Sequence, residues 1–226
     1  MKSVTIWRNR YRGQDIYVLG AHASVDLLDQ SYLNGKIVIA VNEVGQAWGF
    51  RPSFVVLKEH RESVLMAASA FPDTPLIVSR HPYGDQSRGF PPIEDTTLIQ
   101  LPNLYVFDHE ANRSLAGDPA LPADPDSLVV SGSTITRAIH FAAYLGAGTI
   151  LVAGHAAGTL AGRQYMKGYG AAEKAQGYGV ASGEWMRGIM GQTSAVKRQL
   201  VERYGCRIYG LAPWISPEEL TAMGYG

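Results

Sequence analysis

Short apolar runs, each followed at once by polar residues, recur along this chain and constrain its fold more than any other feature. Seven runs have the composition of buried strands, at residues 15–20, 36–41, 53–57, 75–78, 104–107, 149–153 and 207–211. Helices are predicted between or after them, at 44–48, 61–70, 135–145, 182–204 and 217–222, with a helix start near 25. This alternation is typical of helices on both faces of a parallel sheet. The sequence predicts an α/β, Rossmann-like, mostly parallel sheet in one domain, residues 1–226.

Composition and charge narrow the classes of partner. The 226 residues are 46% hydrophobic and 18% charged, as in an ordinary globular chain. Twenty basic and 20 acidic residues cancel, so there is no electrostatic case for duplex DNA or an anionic membrane, and a nucleic-acid partner would need a local patch. No membrane span or signal peptide is evident, and the single cysteine, Cys206, fits a reducing compartment. A cytoplasmic location is expected, and the oligomeric state stays open.

The stretch 129–155 predicts half of a ligand site. Ser131, Gly132 and Ser133 stand where a helix begins, and small hydroxyl residues there commonly cap the first-turn N–H groups. Gly154 and His155 come directly after the strand that follows this helix. In parallel sheets, ligands bind at the carboxyl ends of strands and the amino ends of helices. We expect a nucleotide or a phosphate at this place.

Two earlier strand exits point to the same edge of the sheet. Gly20, Ala21, His22 and Ser24 occupy the position of a phosphate-binding turn, without the full Gly-x-Gly-x-x-Gly pattern. Spacing alone therefore favours an ordinary strand–helix connection. Another strand, 36–41, ends at the adjacent pair Asn42 and Glu43.

A third exit, Asp108-His109-Glu110, contains residue types that bind metals. Consecutive residues on a strand point to opposite faces, so three adjacent ligands for one ion are disfavoured. We interpret this triplet as a polar strand end and assign no metal ligands.

Residues 155–181 are dense in Gly, Ala and Tyr and follow a strand that bears site residues. One hypothesis is a lid, in which Tyr165 and Tyr169 stack on a base or a sugar. A structured crossover packed on the sheet is the alternative, and the sequence favours neither.

Several motifs, taken in order, resemble a known family. They are DIYVLGAHASVD (15–26), KIVIAVN (36–42), RPSFVV (51–56), SGSTITRAIHFAAYLGAGTILVAGH (131–155) and VKRQLVERYGCRIYGLAP (196–213). Together they resemble the MptE-like Rossmann family, which includes archaeal 6-hydroxymethylpterin diphosphokinases and flagellin-glycosylation accessory factors. A more distant similarity is to bacterial sialyltransferases that use CMP-sialic acid.

The resemblance implies that the first turn, Asn42 and the Ser-Gly turn hold a nucleotide. That assigns nucleotide binding to Gly20, Ala21, Ser24, Asn42, Ser131, Gly132 and Ser133, to which we add Glu43, Gly154, Tyr165 and Tyr169. Two departures stand out. His22-Ala23-Ser24 replaces the family's Gly-Pro-Ser, and Ala156 stands where relatives commonly have an aspartate.

We therefore expect a transferase that uses a nucleotide-activated donor, most simply a nucleotide sugar, with no required cofactor and Mg²⁺ left open. His155 is the first candidate for the general base because imidazole titrates near neutral pH, and His22 and His81 are weaker candidates. The alternatives are an ATP-dependent diphosphokinase and a catalytically silent nucleotide-binding protein. The acceptor stays open among glycans, proteins, small molecules and modified nucleic acids.

Overall fold

One parallel sheet of eight strands forms the centre of the molecule. The computed structural model describes residues 2–58, 62–81, 91–108, 119–156, 159–160, 162–170 and 183–211, the side chains of 183–186 excepted. Within these residues every pair of neighbouring strands is parallel. The strands are β1 (Lys2–Ser3), β2 (Asp15–Leu19), β3 (Ile37–Val41), β4 (Phe54–Val56), β5 (Leu76–Ser79), β6 (Leu104–Phe107), β7 (Thr149–Ala153) and β8 (Arg207–Gly210). The predicted α/β, Rossmann-like fold is confirmed.

The order of the strands creates one switch in direction. Across the sheet the order is β1-β6-β5-β4-β3-β2-β7-β8. From β2 the chain steps outward to β6 on one side, and it then returns to place β7 on the other side of β2. In open parallel sheets, ligands bind in the crevice at such a switch, outside the carboxyl ends of the strands. The topology therefore directs attention to the ends of β2 and β7.

Helices cover both faces of the sheet. They are α1 (Val44–Ala47), α2 (Glu62–Ala70), α3 (Thr134–Tyr144) and α4 (Gly183–Tyr204). Alternate residues of the strands enter two separate apolar clusters, because successive side chains point to opposite faces. On β4, Val55 joins Val64 of α2, whereas Phe54 joins Phe141 of α3. The prediction of helices on both faces is thus confirmed.

Two of the predicted helices are not among those in the described part of the chain. The helix expected near residue 25 is instead a 3-10 turn, Ala23–Leu27, after which the chain becomes extended at Leu28 and Asp29 caps a second such turn. The terminal helix expected at 217–222 lies outside the described residues.

Helix α3 is enclosed rather than half-exposed. All eleven of its residues are buried, although the sequence shows apolar spacing on one face only. The sheet lies on one side, and α4 covers the other, where Thr136 and Thr193 share a hydroxyl–hydroxyl hydrogen bond of 2.8 Å. Four of the five polar side chains of α3 hydrogen-bond to specific partners; they are Thr136, Arg137, His140 and Tyr144.

His140 of α3 is held as a neutral ring. The Val129 N–H donates to Nδ1 at 2.9 Å, so the ring proton is on Nε2, which lies 3.0 Å from the Tyr204 hydroxyl and donates to it. Burial, and secondly the charge of Arg203, lowers the pKa of His140 to about 3. The side chain is 0% exposed.

We expect mild acid to destabilise the protein through His140. The unfolded ring binds a proton near pH 6.5 and the folded ring only near pH 3, so the stability that this difference confers is complete above pH 6.5 and is lost as the pH falls below it. The slope is roughly 1.4 kcal/mol per pH unit. Denaturant unfolding between pH 7 and pH 4.5 measures it, and the variant His140→Gln is expected to show a flatter profile. An equal slope in both proteins would contradict the assignment.

The first thirteen residues, of which 8–13 form a basic and polar segment, are part of the fold. They contribute the edge strand β1, and the backbone N–H groups of Asn9, Tyr11 and Gly13 donate to the carbonyls of Tyr144, Leu145 and Gly146 at 2.8–3.0 Å. These bonds satisfy carbonyl groups at the end of α3 that lack partners within the helix. The order of residues in a polar segment gives no signal for this contact.

No helix in the described part of the chain is long and apolar enough to cross a membrane. Cys206 is 1% exposed and immediately precedes β8.

Candidate functional site

A cavity of about 230 Å³ opens at the switch point, and we call it the switch-point cavity. The carboxyl ends of β2, β3 and β7 and the amino end of α3 surround it. Ten of the predicted site residues line it: Gly20, Ala21, His22, Asn42, Gly132, Ser133, Gly154, His155, Tyr165 and Tyr169. Ser24, Glu43, Ser131 and the weaker candidate His81 do not line it.

Two glycines let the ends of β2 and β7 meet. A Cβ atom on Gly20 would lie 2.3 Å from the carbonyl oxygen of Gly154, and a Cβ on Gly154 would lie 2.2 Å from that of Gly20. Gly154 also has a φ of +67°, a conformation that L side chains rarely adopt. Both positions therefore require glycine, and their contact forms the floor of the switch-point cavity.

The imidazole of His22 is oriented by its own turn. Its Nδ1 accepts a hydrogen bond from the Ser24 N–H at 3.1 Å and lies 3.0 Å from the Ser24 hydroxyl. The neutral ring therefore carries its proton on Nε2. Ser24 lies outside the cavity lining and holds His22 in place.

The amino end of α3 is not capped as the sequence led us to expect. Ser133 is the N-cap residue, but its side chain makes no capping hydrogen bond. The Ser131 hydroxyl instead accepts from the Ser133 N–H at 3.4 Å, and the Gly132 N–H donates to Gln192 of α4 at 3.2 Å. Thr134 and Ile135, in the first turn, line the cavity with Ser133. The first turn thus faces the cavity without a side-chain cap.

Asn42 links the exits of β3 and β4. It adopts a φ of +47°, its N–H donates to Val56, and its Oδ1 accepts from the Lys58 N–H at 3.3 Å. Lys58 lies two residues beyond the end of β4 and lines the cavity with Asn42. Glu43 instead occupies the N-cap position of α1 and makes no side-chain capping bond there.

His155 is neutral at pH 7 in this arrangement. Burial is the main cause that lowers its pKa to about 4, and the charges of Lys197 and His22 add to it. Among the described residues, no group hydrogen-bonds its buried Nε2 atom. A ring of this kind can accept a proton or meet a ligand without breaking an existing side-chain contact.

The described part of the predicted lid, 155–156, 159–160 and 162–170, includes a segment that packs against the turn after β2. Asp26, whose side chain is 8% exposed, accepts hydrogen bonds from Arg163 at 2.8 Å and from the Lys167 N–H at 3.1 Å. Residues 22 and 165 pair as an antiparallel bridge, and the rings of Tyr165 and Tyr169 stack with centroids 5.5 Å apart. This part matches the packed alternative, and residues 171–181 lie outside the described residues.

Among the described residues, the charged side chain in the cavity lining is positive. Lys58 is the cation in its lining, and none of the described lining residues is an aspartate or a glutamate. Ala156, where relatives of the resembled family commonly have an aspartate, is part of this lining. Lys197 of α4 adds positive potential near His155. An anionic group is therefore the best electrostatic match for this site.

The possible metal triplet lies elsewhere. Asp108 pairs with Arg80 at 3.1 Å and is not in the cavity lining, while His109 and Glu110 fall outside the described residues. Within the described ranges, no three His, Cys, Asp or Glu side chains are placed to hold a metal ion.

Sequence reasoning missed several lining residues, above all Lys58. The rule that selected Asn42, a polar residue directly after a strand, applies equally to Lys58 and could have identified it. Gln164 and Ile189 also line the cavity, but each carries no signal of its own in the sequence.

The chain matches no protein-family model and no curated protein sequence.

Proposed function

We propose that the protein is a transferase that binds a nucleotide-activated donor, most simply a nucleotide sugar, in the switch-point cavity. The observation that carries this proposal is the cavity itself. It lies at the switch in strand order, faces the uncapped first turn of α3, and contains Lys58 without any acidic side chain among its described lining residues. Nucleotide phosphates suit such an environment, since backbone N–H groups and the helix dipole favour negative charge.

In this proposal each part of the donor has a partner. Phosphate oxygens accept from the first turn of α3, near Ser133 and Thr134. The Asn42 side chain keeps its NH₂ group for ribose or base, since its Oδ1 already holds Lys58. Tyr165 and Tyr169, already stacked, offer an aromatic wall for the base or the sugar. The resemblance to the MptE-like family points to the same assignment.

His155 is the proposed general base for the acceptor hydroxyl. With a pKa of about 4, the ring is neutral at pH 7 but weakly basic. A bound phosphate would favour the protonated ring and so make it a stronger base. Transfer chemistry thus depends on the donor binding first.

The proposal is tested by thermal unfolding with CMP, CDP, UDP, GDP, ATP and representative nucleotide sugars, each with and without Mg²⁺. A ligand at 100 times its dissociation constant adds about 2.7 kcal/mol, which moves the midpoint by roughly 5–10 °C. We expect a metal-independent shift with one nucleoside class, and turnover of the matching donor that is lost in His155→Gln while the shift remains. No shift with any compound would overturn the proposal.

Two other functions are distinguished by the same panel. A shift only with ATP and Mg²⁺ would favour the diphosphokinase. A shift without turnover of any donor would favour a silent nucleotide-binding protein, an interpretation supported by the low basicity of His155 and by Ala156, which lines the cavity without a carboxylate.

A further inference from the structure

The peptide group that joins Leu57 to Lys58, beside the switch-point cavity, makes hydrogen bonds with side chains through both its carbonyl oxygen and its N–H. Its carbonyl oxygen accepts from Nη1 of Arg137 at 3.0 Å, and its N–H donates to Oδ1 of Asn42 at 3.3 Å. Leu57 is itself tied to the sheet, because its N–H donates to the Ile77 carbonyl at 3.0 Å. The backbone position of Lys58 is therefore fixed by side chains from two different elements, α3 and the turn after β3.

Arg137 is an unusual residue to find in this place. It is 2% exposed, and its guanidinium lies 5.2 Å from the ring centre of Phe107. Burial lowers its pKa to about 10, so it stays protonated at pH 7. Among the described residues no carboxylate pairs with it, and no group hydrogen-bonds its buried Nε.

Burying a cation without a counter-ion is unfavourable, so stability of the core does not explain Arg137. An apolar residue of similar volume would fill the same space at lower cost. Its only described hydrogen bond goes to the peptide that carries Lys58, and Lys58 is the cation that reaches the cavity. The hydrogen bond of the guanidinium group therefore serves to position Lys58.

We infer that Lys58 is the side chain that binds the diphosphate of the ligand, and that Arg137 is a positioning residue that acts through Lys58. This inference rests on the proposed function and adds to it the group that recognises the phosphates. Lys58 brings a positive charge to the same cavity that the first turn of α3 lines, so a diphosphate there contacts both. Arg137 does not line the cavity and makes no contact with the ligand.

A double-mutant cycle tests this coupling. The probe is inorganic pyrophosphate, whose dissociation constant is measured by calorimetry at a temperature where every variant is folded. The proteins are the unmodified chain, Lys58→Met, Arg137→Gln and the double variant. Gln keeps an N–H donor without the charge. The matched control is His140→Gln, which replaces a buried polar residue one turn further along the same helix. The hydrogen-bond partners of His140 are Val129 and Tyr204, and neither belongs to the peptide group that carries Lys58.

We expect Lys58→Met to weaken binding about 10- to 100-fold, the range of a charge-assisted hydrogen bond. Arg137→Gln should weaken it severalfold when Lys58 is present and less than about twofold when Lys58 is Met, since coupled residues are not additive. His140→Gln should leave the affinity unchanged. A similar loss from Arg137→Gln in both backgrounds would overturn the positioning role, and an unaltered affinity in Lys58→Met would overturn the assignment of Lys58.

The failure of this inference differs from the failure of the proposed function. Nucleotide binding that persists in Lys58→Met overturns only the inference, whereas an unmodified protein that binds neither pyrophosphate nor any nucleotide overturns both. If Arg137→Gln does not fold, Asn42→Gly replaces it in the cycle. Glycine tolerates the positive φ of residue 42, and the substitution removes the other side-chain hydrogen bond to the same peptide group.

Discussion

Gly154→Ala is expected to cost the protein most of its stability. The new methyl group would lie 2.2 Å from the Gly20 carbonyl oxygen and 2.3 Å from Cγ2 of Val25, and neither the backbone of β2 nor a fully buried valine can move away. Added to the strain of a φ of +67°, the loss should exceed about 4 kcal/mol, a large part of the stability of a typical domain. Circular dichroism on heating measures it.

Gly35→Ala is the matched control for that substitution. Gly35 has a φ of +72°, but a Cβ there meets nothing within 4 Å. It should show only the conformational cost of about 1–2 kcal/mol. Equal midpoints for the two variants would mean that the contact between the ends of β2 and β7 is not a tight one.

Ser133→Asp is expected to raise the stability of the fold and, at the same time, to weaken ligand binding strongly. An aspartate at the N-cap caps α3 and opposes its dipole, together worth about 1–2 kcal/mol, because the present serine makes no cap. The same carboxylate lines the cavity, where an anion at about 5 Å would be repelled by roughly 3 kcal/mol at an effective dielectric of 20. That corresponds to about a 100-fold loss of affinity.

The paired measurements are the thermal midpoint and the dissociation constant for the nucleotide that the panel selects. Ser133→Asn is the control, since asparagine caps the helix without a charge and should weaken binding far less. If Ser133→Asp bound the nucleotide as tightly as the unmodified protein, the phosphates would have to lie elsewhere.

The fold was largely predictable because its main signal is local. Each of the seven predicted runs is rich in apolar residues and forms a strand, and runs such as 37–41 and 150–153 are apolar without a break because the sheet is covered there on both faces. β1 was missed because two exposed residues carry no pattern. The packing of the segment from Asn9 to Gly13 could not be predicted for a related reason, since its contacts with the end of α3 are made by backbone groups.

The candidate site was predictable only in outline. Topology brings the ends of parallel strands together, so residues such as Gly20, Asn42 and Gly154 could be grouped from the amino-acid sequence alone. What each side chain does there could not be predicted. Ser24 holds His22 instead of a ligand, and Ser133 leaves its helix uncapped. The pairing of Arg137 with the Leu57 carbonyl joins residues 80 positions apart, and nothing in the sequence relates them.

The enclosure of α3 reduces the extent to which dissolved salt can screen the electric field of its dipole. Mobile ions in solution weaken the field of a helix that lies on a protein surface. Here the sheet and α4 keep such ions away from most of the helix, so its field reaches the cavity through protein rather than through water. An anion at its amino end is therefore held by an attraction that changes little with ionic strength, in contrast to one held by surface lysines.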